Sequence, residues 1–454
     1  MVYSIIQKSQ LEGASRLDAE YYQPEYLDLE KKLAALETKT LEEISKSVIS
    51  FGAYSLTSYI EWQESGVPYI NVGDIHEGYI DFSSVKYISE KVNEILKKSK
   101  VSNGQVLLTM AGTIGNAAVA YNLSRTANAN QAIAKITPLD GVSPYYLAAF
   151  FNSKYGLLQT QREIVSSVQA NIFLGSIKKF KIPIFNSKAT KEIEYGYKNF
   201  LEELENSKLL YSQAENLLLE ELGLKDFESE KALWSVISLS EAKKANRLDP
   251  DFFDPKYTKL LEILGKKSTH LGDLVKRITK KVDIQVSQEY NYIEISDIDV
   301  GCGEASSNKI TGKDLPANAK LKIIGGEIIV SKVRPTRGAV AIIPDNWNRD
   351  FVASGAFSVF DLESPMRECL QVVLRSFIGK LQLEKPTTGT SYPTITDKDV
   401  ENILIPILSK PIQQKIAELV KKSHEARKKD KELLEEAKHK VEKLIEKGNN
   451  AAIS

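Results

Sequence analysis

A chain of 454 residues is too long for one ordinary core, so two to four domains are expected. Its 60 Lys and Arg balance its 60 Asp and Glu, which excludes a protein that coats nucleic acid indiscriminately but permits local basic surfaces. No apolar run of spanning length, an opening MVYSIIQKSQ unlike a secretory leader, and only Cys302 and Cys369 point to a globular cytoplasmic protein without disulfides or a membrane.

In chain order, the first distinctive stretch is RLDAEYYQPEY (16–26), followed by SFGAYSLTSY (50–59), a loop offering Tyr54, Ser55 and Thr57. YINVGDI, QVLLTMA and AIAKITP are β-branched runs bounded by Gly, Asn or Pro, and read as strands. After QVLLTMA comes a turn carrying Thr109, Thr113 and Asn116. Residues 143–161 place Leu147, Phe150, Phe151 and Leu157 near helical spacing and predict one amphipathic helix. SSVQAN (166–171) adds Ser167, Gln169 and Asn171 on a polar loop.

Residues 191–222 contain no Pro, and Tyr197, Phe200, Leu204, Tyr211, Ala214 and Leu218 alternate three- and four-residue steps, a coiled-coil seam. The chain then repeats itself. RLDPDFFDPKY (247–257) returns the opening motif 231 positions on. YIEISDI (292–298), GGEIIVSKVRPTRGAVAI (325–342), SGAFSVF (354–360) and TITDKDVENILIPI (394–407) echo first-half segments in the same order. Each match is weak alone; with WSVISLSEAKKANR (234–247) echoing YSIIQKSQLEGASR (3–16), six in one order argue for tandem duplication over coincidence among apolar strands.

In the second half, RITKKVDIQ (277–285) offers Lys280 and Lys281. VSKVRPTRGAV (330–340) sets Lys332, Arg334, Thr336 and Arg337 directly after a strand. PTTGTSYP (386–393) brings Thr388, Thr390, Ser391 and Tyr392. Arg can take guanine bidentately, and hydroxyls, amides and Lys suit phosphates and base edges, although ordinary solvated turns use the same residues. Different side chains at one place in two copies would read different bases. A second helix over 413–447, opened by Pro411, supplies seam partners Val420, Ser423, Arg427, Leu434, Ala437 and Val441. About 30 helical residues make a spacer of roughly 45 Å, comparable with one turn of B-DNA at about 34 Å. Helices that merely pack on their own domains are the alternative.

No catalytic constellation stands out in the sequence. The four His lie far apart, and there is no CxxC, HExxH, phosphate-cradling GxxxxGK[ST] or methyltransferase tetrapeptide, so no metal, cofactor or catalytic residue is assigned. The RLD motifs are assigned to structure: the Tyr21–Tyr22 and Phe252–Phe253 pairs pack, while Arg16 and Asp18, with Arg247 and Asp249, tie each domain to the helices. A docking surface for a partner subunit is the alternative.

This arrangement resembles the specificity subunit of type I restriction–modification enzymes. The resemblance rests on the RLD openings, the GQVLLTMAGTIGNAAV and GEIIVSKVRPTRGAV strand–loop units, and IPILSKPIQQKI (405–416), where an Ile-Pro strand end runs into a long helix. It covers essentially the whole chain. The first copy departs at IPIFNSKATKEI (182–193), which lacks the Pro-x-Gln-Gln of the second, and has no glycine matching Gly389.

The resemblance implies an α/β fold of two pseudo-repeated mixed target-recognition domains separated by two long antiparallel coiled-coil helices. The expected divisions are 1–186, 187–225, 226–408 and 409–454. Each domain would read half of an asymmetric bipartite double-stranded DNA site. The helices would set the spacer and carry two methyltransferase subunits, and through them the restriction subunits of a defence against foreign DNA. The chain itself would be non-catalytic. A duplicated protein-binding adaptor without a DNA role is the competing reading.

Overall fold

The computed structural model describes residues 4–9, 11, 16–50, 58–83, 85–165, 170–228, 234, 236–347, 349–389 and 391–448. The chain is mixed α/β and divides into two compact units, 1–203 with 429–454, and 204–428. The division falls inside the long helices rather than at their ends.

Unit 1 contains strands β1 (Thr38–Thr40), β2 (Ser45–Ile49), β3 (Val67–Ile70), β4 (Lys86–Ile88), β5 (Lys100–Val101), β6 (Val106–Thr109), β7 (Ala117–Val119), β8 (Ala127–Ala129), β9 (Ile133–Pro138) and β10 (Lys181–Pro183). They form sheets ordered β2-β9-β6-β7 and β4-β3-β8-β5, with β1 paired to β10. β6 lies between two neighbours with all four residues buried, so its sequence is a continuous apolar run rather than an alternation. The helix expected over 143–161 is two helices, α1 (Pro144–Asn152) and α2 (Lys154–Arg162). Ser153 breaks them: it is extended, and its hydroxyl accepts the Gly156 N–H at the start of the second. Gly156 permits the corner, since a Cβ there would stand 2.1 Å from the Phe150 carbonyl oxygen.

Unit 2 contains β11 (Ser268–His270), β12 (Arg277–Ile278), β13 (Glu289–Ile293), β14 (Ile298–Asp299), β15 (Glu304–Ala305), β16 (Asn308–Thr311), β17 (Ala319–Ile323), β18 (Glu327–Ser331), β19 (Val340–Ile342), β20 (Phe351–Ser354), β21 (Phe357–Asp361) and β22 (Leu404–Pro406). Its sheets run β12-β21-β18-β19-β15-β14 and β16-β13-β20-β17, with β11 paired to β22. Strand for strand this is the order of unit 1, extended by β14 and β15. In both units a matching parallel pair, β3 with β8 and β13 with β20, joins distant segments, and unit 2 adds a second, β15 with β19.

The long helices are Ser187–Glu221 and Lys410–Lys447. All twelve seam residues named from the sequence are buried. In unit 1, Glu203 pairs with Lys429, and a Cβ on Gly196 would lie 3.9 Å from Ala437, so rising numbers on one segment meet falling numbers on the other. The same segments also pack on their own domain. Tyr197 Oη donates to the Gly78 carbonyl at 2.6 Å, and Lys438 pairs with Glu77. In unit 2 the Ser423 hydroxyl donates to the Ser207 carbonyl at 2.8 Å, and Arg427 pairs with Asp299 at 3.0 Å. Among the described residues no helix is long and apolar enough to cross a membrane.

Candidate nucleic-acid interface

In unit 2, β18 leads into a loop over 332–339 that returns as β19. Arg334 sits there in a left-handed conformation, φ 47°, which disfavours a residue with a side chain by about 1–2 kcal/mol. Three contacts hold it. Its N–H donates to the Pro393 carbonyl at 2.8 Å, its guanidinium lies 4.4 Å from the Tyr392 ring centroid, and Nη2 reaches the Ser391 carbonyl at 3.4 Å. The short turn Pro335–Arg337 follows, closed by Gly338 at φ 79°.

The second loop folds on itself where Thr388 and Thr394 exchange N–H to carbonyl bonds of 3.0 and 2.9 Å. Ile395 then donates to the Lys332 carbonyl at 3.0 Å, stitching the two loops together. Thr336, Arg337, Thr388, Ser391 and Tyr392 are exposed on this shared rim, and Tyr392 is 67% exposed. Among the described residues no carboxylate pairs with Arg334 or Arg337. Thr390 lies outside the described residues.

Lys332 does not join the rim. Its Nζ lies 2.8 Å from Asp397, which also accepts from the Ser358 hydroxyl at 2.6 Å and pairs with Arg277 at 3.3 Å. Burial opposes ionisation of Asp397, but the hydrogen bonds from Lys332 and Ser358, with the two cations, outweigh it and hold the carboxyl below its usual range. Lys332 is thus a structural partner of the strand end, not a free phosphate ligand.

The RLD motif buttresses the base of the second loop. Arg247 grips Asp249 with two bonds of 2.6 and 2.7 Å, and donates to the carbonyls of Pro386 (3.3 Å) and Thr387 (3.1 Å). Its guanidinium also lies over Phe252, 4.8 Å from the centroid. The expectation that this motif ties the domain to the long helices is corrected: the fork geometry of Arg suits two carbonyls on a loop base, and that is where it goes.

Unit 1 repeats the stitching with different side chains. Ile172 donates to the Met110 carbonyl at 2.9 Å, Val165 to Asn171 at 3.0 Å, and Ala111 bridges Asn171. Gly112, φ 70°, stands at the position that Arg334 takes in unit 2. Thr113 is exposed on the loop. The Asn116 amide is committed to the Ile75 carbonyl, 3.0 Å away, and Asn171 serves chiefly through its backbone. Arg16 grips Asp18 and lies over Tyr21, against which Arg162 packs from the end of α2, its Nε donating to the Tyr21 carbonyl at 3.1 Å. Tyr54, Ser55, Thr57, Ser167 and Gln169 lie outside the described residues.

Lys280 and Lys281 are exposed and run beside β17: Val282 donates to the Lys320 carbonyl and Lys322 to the Lys280 carbonyl, each at 3.0 Å. That pairing adds exposed Lys320 and Lys322 to a basic strip which sequence reasoning missed. Their signal was present, as Lys alternating with the more buried Ala319, Leu321 and Ile323. Exposed Lys380 was missed too; a Cβ on Gly338 would stand 3.4 Å from its Cε. It belongs to a helix far from the loop in sequence, so only the fold reveals it. Among the described residues no group of three or more His, Cys, Asp or Glu side chains could hold a metal ion.

Residues 35–211 and 265–438 each match the family described as type I restriction modification DNA specificity domain. The chain is 26% identical over 170 residues to the type I restriction enzyme HindI specificity subunit of Haemophilus influenzae, a match spanning 34% of each protein. It is 24% identical over 405 residues to the MjaIX specificity subunit of Methanocaldococcus jannaschii, spanning 85% of each. The crystal structure of a type I restriction–modification S subunit from M. genitalium aligns over 89% of this chain and 95% of its own, at 13% identity and a TM-score of 0.41. Because the two matched segments together take in most of the sequence, the chain belongs to the type I restriction–modification DNA specificity family.

Proposed function

We propose that this chain is the non-catalytic, sequence-reading subunit of a type I restriction–modification complex in the cytoplasm. Each unit reads one half of an asymmetric bipartite site in double-stranded DNA. The long helices, as an antiparallel coiled coil, set the unread spacer and dock two methyltransferase subunits, to which restriction subunits attach. The observation that carries this reading is the recurrence, once per unit, of two loops stitched at matching backbone positions and bearing different side chains. A shared scaffold with divergent tips is what two half-sites of different sequence require. The Lys280, Lys281, Lys320 and Lys322 strip supplies the phosphate contacts that position such a rim.

The test is binding of a randomised duplex pool by the full chain with its methyltransferase subunits. Selection of two short blocks separated by an unspecified spacer, with affinity falling steeply as salt rises, supports the reading. Binding that ignores salt and selects no sequence returns the chain to the class of protein adaptors.

A further inference from the structure

We infer that Arg334 reads a guanine in the half-site of unit 2, with Tyr392 as the residue that positions it; this rests on the DNA-reading assignment above and deepens it. At this loop position unit 1 has Gly112 at φ 70°, the residue type for which the left-handed region carries no steric penalty. Unit 2 has Arg334 at φ 47°. A long cationic side chain stands where the fold itself would favour glycine, and such outliers concentrate where a side chain must be presented.

The side chain is also presented in one way. The Arg334 guanidinium carbon lies over the Tyr392 ring, 4.4 Å from its centroid, and the Arg334 backbone N–H donates to the Pro393 carbonyl at 2.8 Å, so the cationic group is held in place from both ends. Among the described residues, only the 3.4 Å contact from Nη2 to the Ser391 carbonyl uses a guanidinium N–H. No described carboxylate neutralises it. Guanine offers two acceptors, O6 and N7, side by side in the major groove, and a planar fork held in place matches them. A phosphate could be met by a flexible point charge and needs no such fixing. The neighbouring Lys332, the obvious candidate for that simpler task, is spent on Asp397 at 2.8 Å. In unit 1, Gly112 has no side chain to offer, so the guanine preference belongs to one half-site alone.

The experiment is sequence selection from a randomised duplex pool by the full chain with its methyltransferase subunits, comparing wild type with Arg334→Gly, Arg334→Gln, Tyr392→Phe and Tyr392→Ala. Wild type should fix a guanine at one position of one block. Arg334→Gly should lose about tenfold to a hundredfold of the preference at that position and leave the other block unchanged. Arg334→Gln should shift the preference toward adenine, whose N6 and N7 suit a carboxamide. Tyr392→Phe should keep the guanine, and Tyr392→Ala should weaken the preference at that position while leaving the thermal midpoint and the other block unchanged, a confined loss that a merely structural tyrosine would not produce. Arg334→Gly suits the left-handed backbone, so its thermal midpoint should not fall, which separates lost reading from lost folding. A uniform loss of affinity with the selected site unchanged would make Arg334 a phosphate contact and overturn the inference while sparing the broader function. A wild-type complex that selects no sequence would overturn both.

Discussion

Arg247 and Thr387, 140 positions apart, are joined by a 3.1 Å hydrogen bond from guanidinium Nη2 to carbonyl oxygen, while the same guanidinium grips Asp249. The link makes the RLD motif a clamp on the loop that carries Tyr392. Arg247→Ala leaves two loop carbonyls and the Asp249 carboxylate without their donor, and should destabilise unit 2 by about 1–3 kcal/mol. Hydrogen exchange should rise over 386–394 first. Arg247→Lys should not restore protection, because an ammonium lacks the fork.

Asp299 makes unit 2 sensitive to acid. Burial opposes its ionisation, but Arg427, 3.0 Å away, and hydrogen bonds from Cys302 and the Gly301 N–H dominate and lower its pKa from 3.8 to about 2. A pKa depressed on folding stabilises the folded state above the unfolded value, and that stabilisation is lost as pH falls from about 4 through about 2. The amount is about 2 kcal/mol. Denaturant titrations across that window should show the loss in the native chain and a flatter profile in Asp299→Asn, which is already less stable at neutral pH.

Ser207 and Ser423 are 1% and 0% exposed, with hydroxyls 3.2 Å apart. Only small side chains fit there. Ser423→Leu should lower stability by about 1–3 kcal/mol through overpacking. Ser423→Ala should lose about 1 kcal/mol, since the Ser207 carbonyl forfeits its donor. Thermal midpoints of the two variants, ordered native, Ala, Leu, check this.

Gly78 holds unit 1 to its helical segments. Its φ is 88°, and a Cβ there would come within 3.0 Å of Leu434 Cδ1 and Phe200 Cε1. Gly78→Ala combines backbone strain with a clash and should cost about 2–4 kcal/mol, read as a lowered midpoint.

Much of this architecture is legible in the chain because its signals are local or periodic. The seam residues Tyr197 to Leu218 and Val420 to Val441 follow helical spacing and are all buried. Ser423 and Arg427 look like intruders in that seam until their partners appear: Ser207 occupies the seam step between Leu204 and Tyr211, whereas Asp299 comes from a distant strand that no helical spacing announces. Pairing of β3 with β8 joins segments too distant for any local pattern to announce. Lys332 and Arg334 are indistinguishable in sequence, two cations after one strand. Asp397, 65 positions later, neutralises the first, and Tyr392 presents the second. Ser153, a polar residue within an apolar period, was the available sign that α1 and α2 are separate.

If each unit reads its own half of a divided site, selection scored block by block will show it. The complex is offered a randomised duplex pool, once as wild type, once with Thr113→Ala in unit 1 and once with Thr336→Ala in unit 2. Two selected blocks at a constant separation are expected, with each substitution altering the preference in one block and not the other. A single undivided block, or substitutions in either unit that disturb both blocks alike, would contradict it.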